Sequence, residues 1–315
     1  MTPADGSAAS LRVVDAAALA AALPMPAAID ALERGFRERD PSTTLRSHVE
    51  TPAGTLLTMP AAGEGGVGVK LVTLTPGNPE RGAPFLHATY VLFDPVTQAP
   101  EAVIDGAAMT ALRTAAVSGV ATRHLARPDA HRLVIFGAGV QARSHLDAMR
   151  AVRPVDEVVI VSRSPEHAEA LVARAMADGV EARTGTPNIV STADLVCTCT
   201  TSPVPVFDGA LLPPGAHVNA VGAYTPETRE VDSETVLRAR VVVERRDVAL
   251  AEAGDLLIPI AEGAVTAAHI LADLAEVVGD DRAVRGSLED VTLFESVGMA
   301  FEDLVVARAV MEALA

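Results

Sequence analysis

The segment GVGVKLVTL, residues 66–74, contains the single lysine of a 315-residue chain that also carries 24 arginines. If this segment is a strand, Lys70 shares a face with Val72 and Leu74, an apolar setting that disfavours a charged ammonium. An ammonium in such a place can shift its pKa and give up a proton, whereas a guanidinium cannot. We therefore interpret Lys70 as a residue of a site that moves protons, rather than a surface lysine left by chance.

The segment RLVIFGAGVQARSH contains a second candidate site, where a buried strand meets a helix. Gly137, Gly139 and Ala142 form the pattern G-x-G-x-x-A there. Glycines at such a junction permit a tight turn and let a pyrophosphate approach the positive N-terminus of the helix. A second strand ends about 20 residues further on, as in dinucleotide-binding folds. The pattern therefore predicts a dinucleotide site rather than an ordinary strand–helix turn.

The end of that second strand, VVIVSRSPEH, separates the two nicotinamide cofactors. An NAD site usually has an aspartate or glutamate here, which binds the ribose 2′-hydroxyl. In this chain Ser162, Arg163 and Ser164 stand there instead, and the first carboxylate is Glu166. Because a guanidinium between two hydroxyls suits a 2′-phosphate, the sequence predicts NADP(H) as the preferred cofactor, with NAD(H) as the alternative.

Strands and helices alternate from about residue 118 onwards. The predicted strands are RLVIFG, EVVIVS, DLVCTCT, HVNAVG and RVVVE, and the predicted helices are SGVATRHLAR, ARSHLDAMRAV and EHAEALVARAMADG. This alternation is typical of a doubly wound parallel sheet. Residues 1–117 instead mix helix, as in AAIDALERGFRERD, with the short strands TLLTMPAA, VGVKLVTL, ATYVLFD and PEAVIDG. The stretch SVGMAFEDLVVARAVMEAL has the apolar spacing of a long amphipathic helix.

The composition excludes several classes of partner. A net charge of −16 repels nucleic acid and anionic membrane surfaces. The N-terminal segment lacks the basic region of a signal peptide, and no apolar run approaches the roughly 20 residues that span a bilayer. Cys197 and Cys199 are too close for an easy disulfide, and no histidine pair at metal spacing accompanies them. We interpret them as buried apolar residues, expect no metal, and expect a cytoplasmic setting.

Several of these segments, together with ALRTAAVSGVAT, HVNAVGAYTPETREVD and EAGDLL, resemble the ornithine cyclodeaminase/μ-crystallin family, in the same order along nearly the whole chain. The resemblance implies an α/β protein with a Rossmann-type doubly wound parallel sheet plus a smaller α+β domain. Residues 1–117 plus 295–315 would form a substrate-binding and dimerisation domain, and residues 118–294 a Rossmann dinucleotide-binding domain. The resemblance also implies a homodimer.

The resemblance assigns candidate site residues as well. In relatives, the positions of Arg46, Lys70 and Arg113 hold the carboxylate of an amino or imino acid, and these three are the candidate catalytic residues. Arginines suit such a carboxylate clamp. The candidate cofactor-binding residues are Gly137, Ala138, Gly139, Val140, Gln141, Ala142, Ser162, Arg163, Ser164, His167, Thr200, Thr201, Val221, Thr114, His87 and Ser296.

Tyr224 departs from the pattern of the cyclodeaminases proper, in which an aspartate at this place takes part in acid–base chemistry. The pattern G-x-x-x-P-x-x-R-E is closer to the branch with imine reductases, alanine dehydrogenases and μ-crystallin. Two roles stay open for Tyr224, lining the substrate pocket or packing. His124, His131 and His145 are interpreted as structural, and Asp255 in EAGDLL as a residue that caps or orients a loop. The charge runs LERGFRERD and VVVERRD are interpreted as solvated faces.

The leading hypothesis is an NAD(P)H-dependent oxidoreductase that reduces the C=N bond of a small, cyclic imino acid or ketimine carboxylate to the amino acid. The arginines would bind the carboxylate, Lys70 would bind and help to protonate, and the nicotinamide would deliver hydride. The alternatives are an alanine dehydrogenase acting on pyruvate, an ornithine cyclodeaminase, and an idle NADPH-binding protein that sequesters a ligand. The three cations together argue against the last alternative, because a storage protein needs no carboxylate clamp.

Overall fold

The computed structural model describes residues 11–38, 45–63, 66–280 and 282–315. The chain divides into two compact units, each built from segments that are distant in sequence. The first spans Met1–Pro24, Asp40–Thr110 and Ala300–Ala315, and the second spans Met25–Arg39 and Ala111–Met299. The predicted domains, residues 1–117 plus 295–315 and residues 118–294, were defined by substrate and cofactor binding. Their boundaries stay a prediction.

Strands and helices are numbered in chain order over the described residues. The strands are β1 Arg12–Val14, β2 Ser47–Thr51, β3 Gly54–Gly63, β4 Gly66–Leu74, β5 Leu86–Phe93, β6 Pro100–Asp105, β7 Arg132–Phe136, β8 Glu157–Val161, β9 Glu181–Thr184, β10 Leu195–Thr198, β11 His217–Ala220, β12 Ala239–Val243, β13 Ile270–Asp273 and β14 Val291–Glu295. The helices are α1 Ala16–Ala22, α2 Met25–Glu38, α3 Gly106–Leu125, α4 Val140–Val152, α5 Pro165–Ala177, α6 Ser233–Arg238, α7 Arg246–Glu252, α8 Gly254–Ala261, α9 Leu274–Gly279 and α10 Ala300–Ala313.

A mixed six-stranded sheet, in the order β1-β6-β5-β4-β3-β2, forms the first unit. Strand β1 is parallel to β6, and every other neighbouring pair is antiparallel. On β4, Lys70 and Val72 are buried while Leu71 and Thr73 are exposed, because successive residues of a strand point to opposite faces. Helix α10 packs on β3, β4 and β5. It covers the face of Lys70, since that side chain contacts Asp303 of the helix.

An eight-stranded sheet, in the order β13-β12-β14-β11-β10-β7-β8-β9, forms the second unit. Every neighbouring pair is parallel. Strands β10, β11 and β14 are buried along their whole length, as expected for parallel strands that are covered on both faces. The predicted fold class, a Rossmann-type doubly wound parallel sheet plus a smaller α+β domain, is confirmed.

Short elements account for most differences from the sequence prediction. Strands β1, β2, β9, β13 and β14 are three to five residues long and were not predicted. Helix α3 begins at Gly106 rather than at Ser118, and α10 begins at Ala300 rather than at Ser296. The predicted end of the helix AAIDALERGFRERD, at residues 39 and 40, lies outside the described residues.

No single helix among the described residues is long and apolar enough to cross a membrane, although α1 and α2 taken as one bent pair would pass by length and composition.

Candidate active site

Lys70 and Asp303 form a buried ion pair in the first unit. Their side chains, on β4 and α10, are 1% and 0% exposed. The ammonium Nζ lies 2.9 Å from Oδ1 and 2.8 Å from Oδ2 of the carboxylate. Either charge would be costly to bury alone, so the two groups depend on each other once the helix has packed on the sheet. Lys70 is on an apolar face as predicted, but sequence reasoning missed Asp303.

Tyr90 is the cross-strand neighbour of Lys70 on β5. Its side chain is fully buried, and a Cβ at Gly68 would overlap its ring and hydroxyl. Burial, and after it the charge of Asp303, raises the pKa of the Tyr90 phenol well above its ordinary value. A neutral phenol therefore stands beside the ion pair across the ordinary pH range.

Arg46 and His87 occupy different places in the first unit. Arg46 is half-buried and immediately precedes β2. His87 is exposed on β5 and, by the alternation of the strand, points to the face opposite Lys70. There it lines a cavity of about 390 Å³ together with Thr73 and Asp105. The structure therefore does not bring His87 to the sheet face that carries Lys70.

Arg113 lies on α3 in the second unit, next to Thr114, and is 5% exposed. A Cβ built on Gly298 would lie 2.5 Å from Nη1 and 2.7 Å from Nη2 of this guanidinium. Gly298 also has a φ of +85°, in the left-handed region that L side chains rarely adopt. Position 298 therefore requires glycine for two reasons, the backbone conformation and the close approach of Arg113.

Most of the candidate cofactor residues of the second unit follow the carboxyl ends of parallel strands. Gly137 follows β7, Ser162 follows β8, Thr200 comes shortly after β10, Val221 follows β11, and Ser296 follows β14. In a doubly wound sheet, the ligand-binding crevice lies outside these ends. The second unit thus brings these predicted positions to one edge of one sheet.

The turn between β7 and α4 fits a dinucleotide pyrophosphate. Gly137 has a φ of +108°, and a Cβ there would lie 2.5 Å from the carbonyl oxygen of Cys199. Gly139 is the N-cap of α4, and nothing lies within 4 Å of the place its Cβ would take. Glycine at 137 therefore lets the turn pack, whereas glycine at 139 leaves open space at the positive end of a helix, as a phosphate requires.

The segment after β8 forms a capped helix start. The Oγ of Ser162 accepts from the N–H of Ser164 at 3.2 Å, and Ser164 is the N-cap of α5. Arg163 and His167 are exposed. An exposed guanidinium thus stands between two hydroxyls at the strand end that discriminates between the two cofactors in Rossmann sheets.

Glu230 ties two of the strand ends together and was not identified from the sequence. Its Oε1 accepts from the N–H and the hydroxyl of Thr200 at 2.6 and 2.5 Å, and its Oε2 accepts from the N–H of Gly222 at 2.7 Å. The Oδ1 of Asp255 in turn accepts from the N–H groups of Glu230 and Val231, each at 2.7 Å. Asp255 therefore orients a loop, as predicted. Burial raises the pKa of Asp255 to about 8, although the backbone donors lower it.

His145 and Cys197 are buried in the second unit as structural residues. The His145 ring lies 3.0 Å from the hydroxyl of Ser118 and 2.8 Å from the carbonyl oxygen of Gln141, and burial lowers its pKa to about 4. Burial raises the pKa of the Cys197 thiol to about 12, and both cysteines are free. Across the described ranges, no group of three or more His, Cys, Asp or Glu side chains could hold a metal ion.

The model of the ornithine cyclodeaminase/mu-crystallin family matches residues 12–315. The chain belongs to this family. The resemblance to this family that the sequence motifs indicated is thereby confirmed.

Three relatives match the chain along most of its length. Ketimine reductase mu-crystallin of Rattus norvegicus is 40% identical over 261 residues, which are 82% of this chain and 80% of that protein. The structure of Thermococcus litoralis Delta(1)-pyrroline-2-carboxylate reductase in complex with NADH and L-proline has a TM-score of 0.92 at 35% identity, covering 96% of this chain and 97% of that chain. An archaeal alanine dehydrogenase dimer with bound NAD has a TM-score of 0.91 at 30% identity, covering 96% and 95% respectively.

The interpretation of the two charge runs as solvated faces holds for most of LERGFRERD, where Arg34, Arg37 and Glu38 are exposed, and is wrong for Glu244 in VVVERRD. In LERGFRERD, Glu33 binds Arg123 and lies 3.0 Å from the ring of His124. In VVVERRD, Glu244 is 2% exposed. Charge runs were assigned to solvent because long charged side chains are seldom buried, but a buried partner reverses that expectation.

Proposed function

We propose that this family member is an NAD(P)H-dependent reductase that converts the C=N bond of a small, cyclic imino acid to the amino acid. The observation that carries the proposal is the buried Lys70–Asp303 pair, which fixes a proton-bearing ammonium inside the first unit. The relatives support the same reaction class. One is a ketimine reductase, and another is a Delta(1)-pyrroline-2-carboxylate reductase whose structure contains NADH and L-proline.

Arg46, Lys70 and Arg113 bind the substrate carboxylate in this proposal. Guanidinium groups bind carboxylates through two parallel N–H donors, which fixes orientation as well as position. Arg113 is suited to this task because it is nearly buried and rests against Gly298, so that its direction is restricted before any ligand arrives. A fixed carboxylate fixes the imine carbon next to it.

Lys70 has a second task, which is to supply a proton to the imine nitrogen. An opposite charge at this distance favours the charged form of a buried amine, so Asp303 keeps Lys70 protonated. The same carboxylate holds the ammonium at a constant place on β4. A guanidinium at position 70 would bind a carboxylate but would not release a proton.

NADP(H) is the preferred cofactor in this proposal, and when bound it supplies the hydride. Gly137, Ala138, Gly139, Val140, Gln141 and Ala142 form the pyrophosphate turn. The residues that face the 2′-phosphate are Ser162, Arg163, Ser164 and His167. The rest of the cofactor is bound by Thr200, Thr201, Val221, Thr114 and Ser296. His87 stays a weaker candidate, since it points away from the Lys70 face.

The protein acts as a homodimer in a cytoplasmic setting, in this proposal. The sheet face opposite α10 exposes Val49 and Leu71. Exposed apolar side chains on one face suit a protein contact. The archaeal alanine dehydrogenase relative is itself a dimer.

The test is oxidation of NADPH by the purified protein with five- and six-membered cyclic imine carboxylates, with NADH in parallel. Reductive amination of pyruvate is the second candidate, because the alanine dehydrogenase relative matches almost the whole chain, so pyruvate plus ammonia forms a third arm. Rapid turnover of an imine supports the proposal. Alanine formation without imine reduction would select the second candidate, and dinucleotide binding without turnover of any substrate would contradict both.

A further inference from the structure

Glu244 is a buried carboxylate at the end of β12, 2% exposed. Both of its oxygens accept hydrogen bonds from the segment that follows β14. Oε1 accepts from the hydroxyl of Ser296, and Oε2 accepts from the backbone N–H of Gly298 at 2.7 Å. Hydrogen bonds to a carboxylate are among the strong ones, and burial strengthens them further. Glu244 therefore holds the turn of residues 296–298 at two points.

The same turn is the surface on which Arg113 rests. The Cα of Gly298 approaches the guanidinium so closely that a Cβ there would lie 3.0 Å or less from Nη1, Nη2 and Cζ. The backbone N–H of Ser296 donates to the carbonyl oxygen of Ala220 at 3.0 Å, which anchors the start of the turn to β11. The peptide N–H that Glu244 holds thus belongs to the residue that Arg113 contacts.

We propose that Glu244 is a positioning residue for Arg113, acting through the turn of residues 296–298. The effect on substrate rests on the proposed function, in which Arg113 binds the carboxylate. The positioning itself does not, because it concerns contacts within the second unit. Glu244 needs a hydrogen-bonding atom at each of these two positions for this role rather than its charge, since the hydroxyl of Ser296 can donate or accept and the N–H of Gly298 needs one acceptor.

Two substitutions separate geometry from charge. Glu244→Gln keeps an acceptor for the N–H of Gly298, and its amide can donate to the hydroxyl of Ser296, so the turn stays in place. Glu244→Ala removes both contacts and frees the turn. Asp194→Ala is the matched control, because Asp194 is also buried and accepts from the N–H groups of His131 and Arg132 at the start of β7 and from the guanidinium of Arg127. Asp194 lies at the amino end of the sheet, away from Arg113.

The first readout needs no activity. It is the rate at which phenylglyoxal modifies Arg113, followed by mass spectrometry of the peptide that contains it. Loss of charge-assisted hydrogen bonds corresponds to roughly ten- to hundredfold in an equilibrium, so we expect Glu244→Ala to raise the rate at least about tenfold. Glu244→Gln and Asp194→Ala should stay within about threefold of the wild type, a difference of under 1 kcal/mol.

The second readout is the KM for the imine at saturating NADPH. We expect Glu244→Ala to raise this KM about tenfold or more and Glu244→Gln to leave it nearly unchanged. In an Arg113→Ala background, Glu244→Ala should add little, because the residue that it positions is gone. If Glu244→Ala does not fold, Glu244→Asp provides the test, since its shorter side chain withdraws the carboxylate from the hydroxyl of Ser296 and the N–H of Gly298 while leaving Gly298 itself unchanged. It should raise the reactivity of Arg113 in the same direction.

Failure of the positioning role of Glu244 and failure of the proposed function give different results in these experiments. If the wild type reduces no imine but Glu244→Ala still frees Arg113 for modification, the proposed function is wrong and the positioning role stands. Unchanged Arg113 reactivity in folded Glu244→Ala would overturn the positioning role whatever the activity. A Glu244→Gln variant as impaired as Glu244→Ala would overturn it too, because charge and not hydrogen-bond geometry would then matter.

Discussion

The Nζ atom of Lys70 and the carboxylate of Asp303 lie within 2.9 Å of each other, although 233 positions separate them in the chain. One group stands on the fourth strand of a mixed sheet and the other on the helix that covers it. Both are almost inaccessible to water. The single lysine of the chain is thus held by an acid from the far end of the sequence, and each depends on the other for its charge.

Replacing Asp303 by Asn should reduce turnover while leaving the shape of the site nearly intact. Without the carboxylate, Lys70 loses the charge that keeps it protonated, so the proton for the imine nitrogen is lost. General acid catalysis contributes about 10² to 10⁴ in rate, and we expect kcat to fall by about 10²-fold. Glu101→Gln is the control, because Glu101 pairs with Arg308 at 2.6 Å elsewhere in the first unit. Equal kcat values in Asp303→Asn and wild type would exclude the proton-donor role.

The stability of the first unit should depend on the pair rather than on either member. Asp303→Leu leaves the Lys70 amine buried without its counter-charge, so the folded state must either hold an unpaired charge or give up the proton, and removal of one partner of a buried pair costs about 3–5 kcal/mol. Lys70→Met together with Asp303→Leu replaces the pair by apolar groups and should regain most of this loss. Urea unfolding of the three proteins measures the difference. A double variant as unstable as Asp303→Leu would contradict this view of the pair.

Two glycines of the same turn should respond differently to alanine. Gly137→Ala introduces a Cβ beside the carbonyl oxygen of Cys199 at a φ of +108°, so the melting temperature should fall along with dinucleotide binding. Gly139→Ala meets no atom, so the melting temperature should stay unchanged. Its Cβ occupies the open space proposed for the pyrophosphate, so dinucleotide affinity should fall at least about tenfold, the size of one lost charge-assisted contact. Thermal scanning and a binding titration with NADPH distinguish the two cases.

Arg163→Ala should reduce the preference for NADPH over NADH. A charge-assisted contact to a 2′-phosphate is worth roughly ten- to hundredfold, and NADH makes no such contact. We therefore expect kcat/KM for NADPH to fall by that factor and kcat/KM for NADH to change little. Arg183→Ala is the control, because Arg183 is a half-exposed arginine of the same unit that pairs with Glu157. A parallel loss for both cofactors would place Arg163 outside the 2′-phosphate site.

The free energy of unfolding should fall as pH rises through the range set by Asp255. The folded state holds this carboxyl with a pKa of about 8, against about 3.9 in an unfolded chain. Between these values the folded state keeps a proton that the unfolded state has lost, so stability decreases with rising pH. Asp255→Asn keeps the acceptor oxygen but does not titrate. The urea midpoint of Asp255→Asn should therefore rise relative to that of the wild type between pH 5 and pH 9. A difference between the two midpoints that does not change with pH would contradict the assignment.

The dinucleotide half of the candidate site is the half that local patterns could predict, and its residues stay predictions. The turn after β7 and the segment after β8 are each contiguous in sequence, so glycine spacing and the missing carboxylate could be recognised directly. Asp303, Glu230 and Glu244 were missed because their partners lie far away in sequence. Asp303 lies in SVGMAFEDLVVARAVMEAL, whose apolar spacing predicts a helix but no partner for its acids. The available signal was Lys70 itself, since an ammonium on an apolar strand face requires an acid from somewhere else.

The short strands were missed for a related reason. Strand β14 contributes VTLFE and strand β13 contributes ILAD, runs too brief to show a period. Their conformation is set by pairing with neighbours already in the sheet, which is tertiary information. The same holds for β2, where all five residues are exposed and no alternation is visible.

The order of the segments along the chain has a consequence for biosynthesis. A ribosome delivers Lys70 with its strand, then the whole of Ala111–Met299, and only afterwards the helix that carries Asp303. Until that helix emerges, the nascent sheet has no acid from α10 to meet its lysine, and closing it early would bury an uncompensated charge. Both segments of the second unit, Met25–Arg39 and Ala111–Met299, are complete before the last helix of the first unit is made, so the second unit can fold before the first is finished.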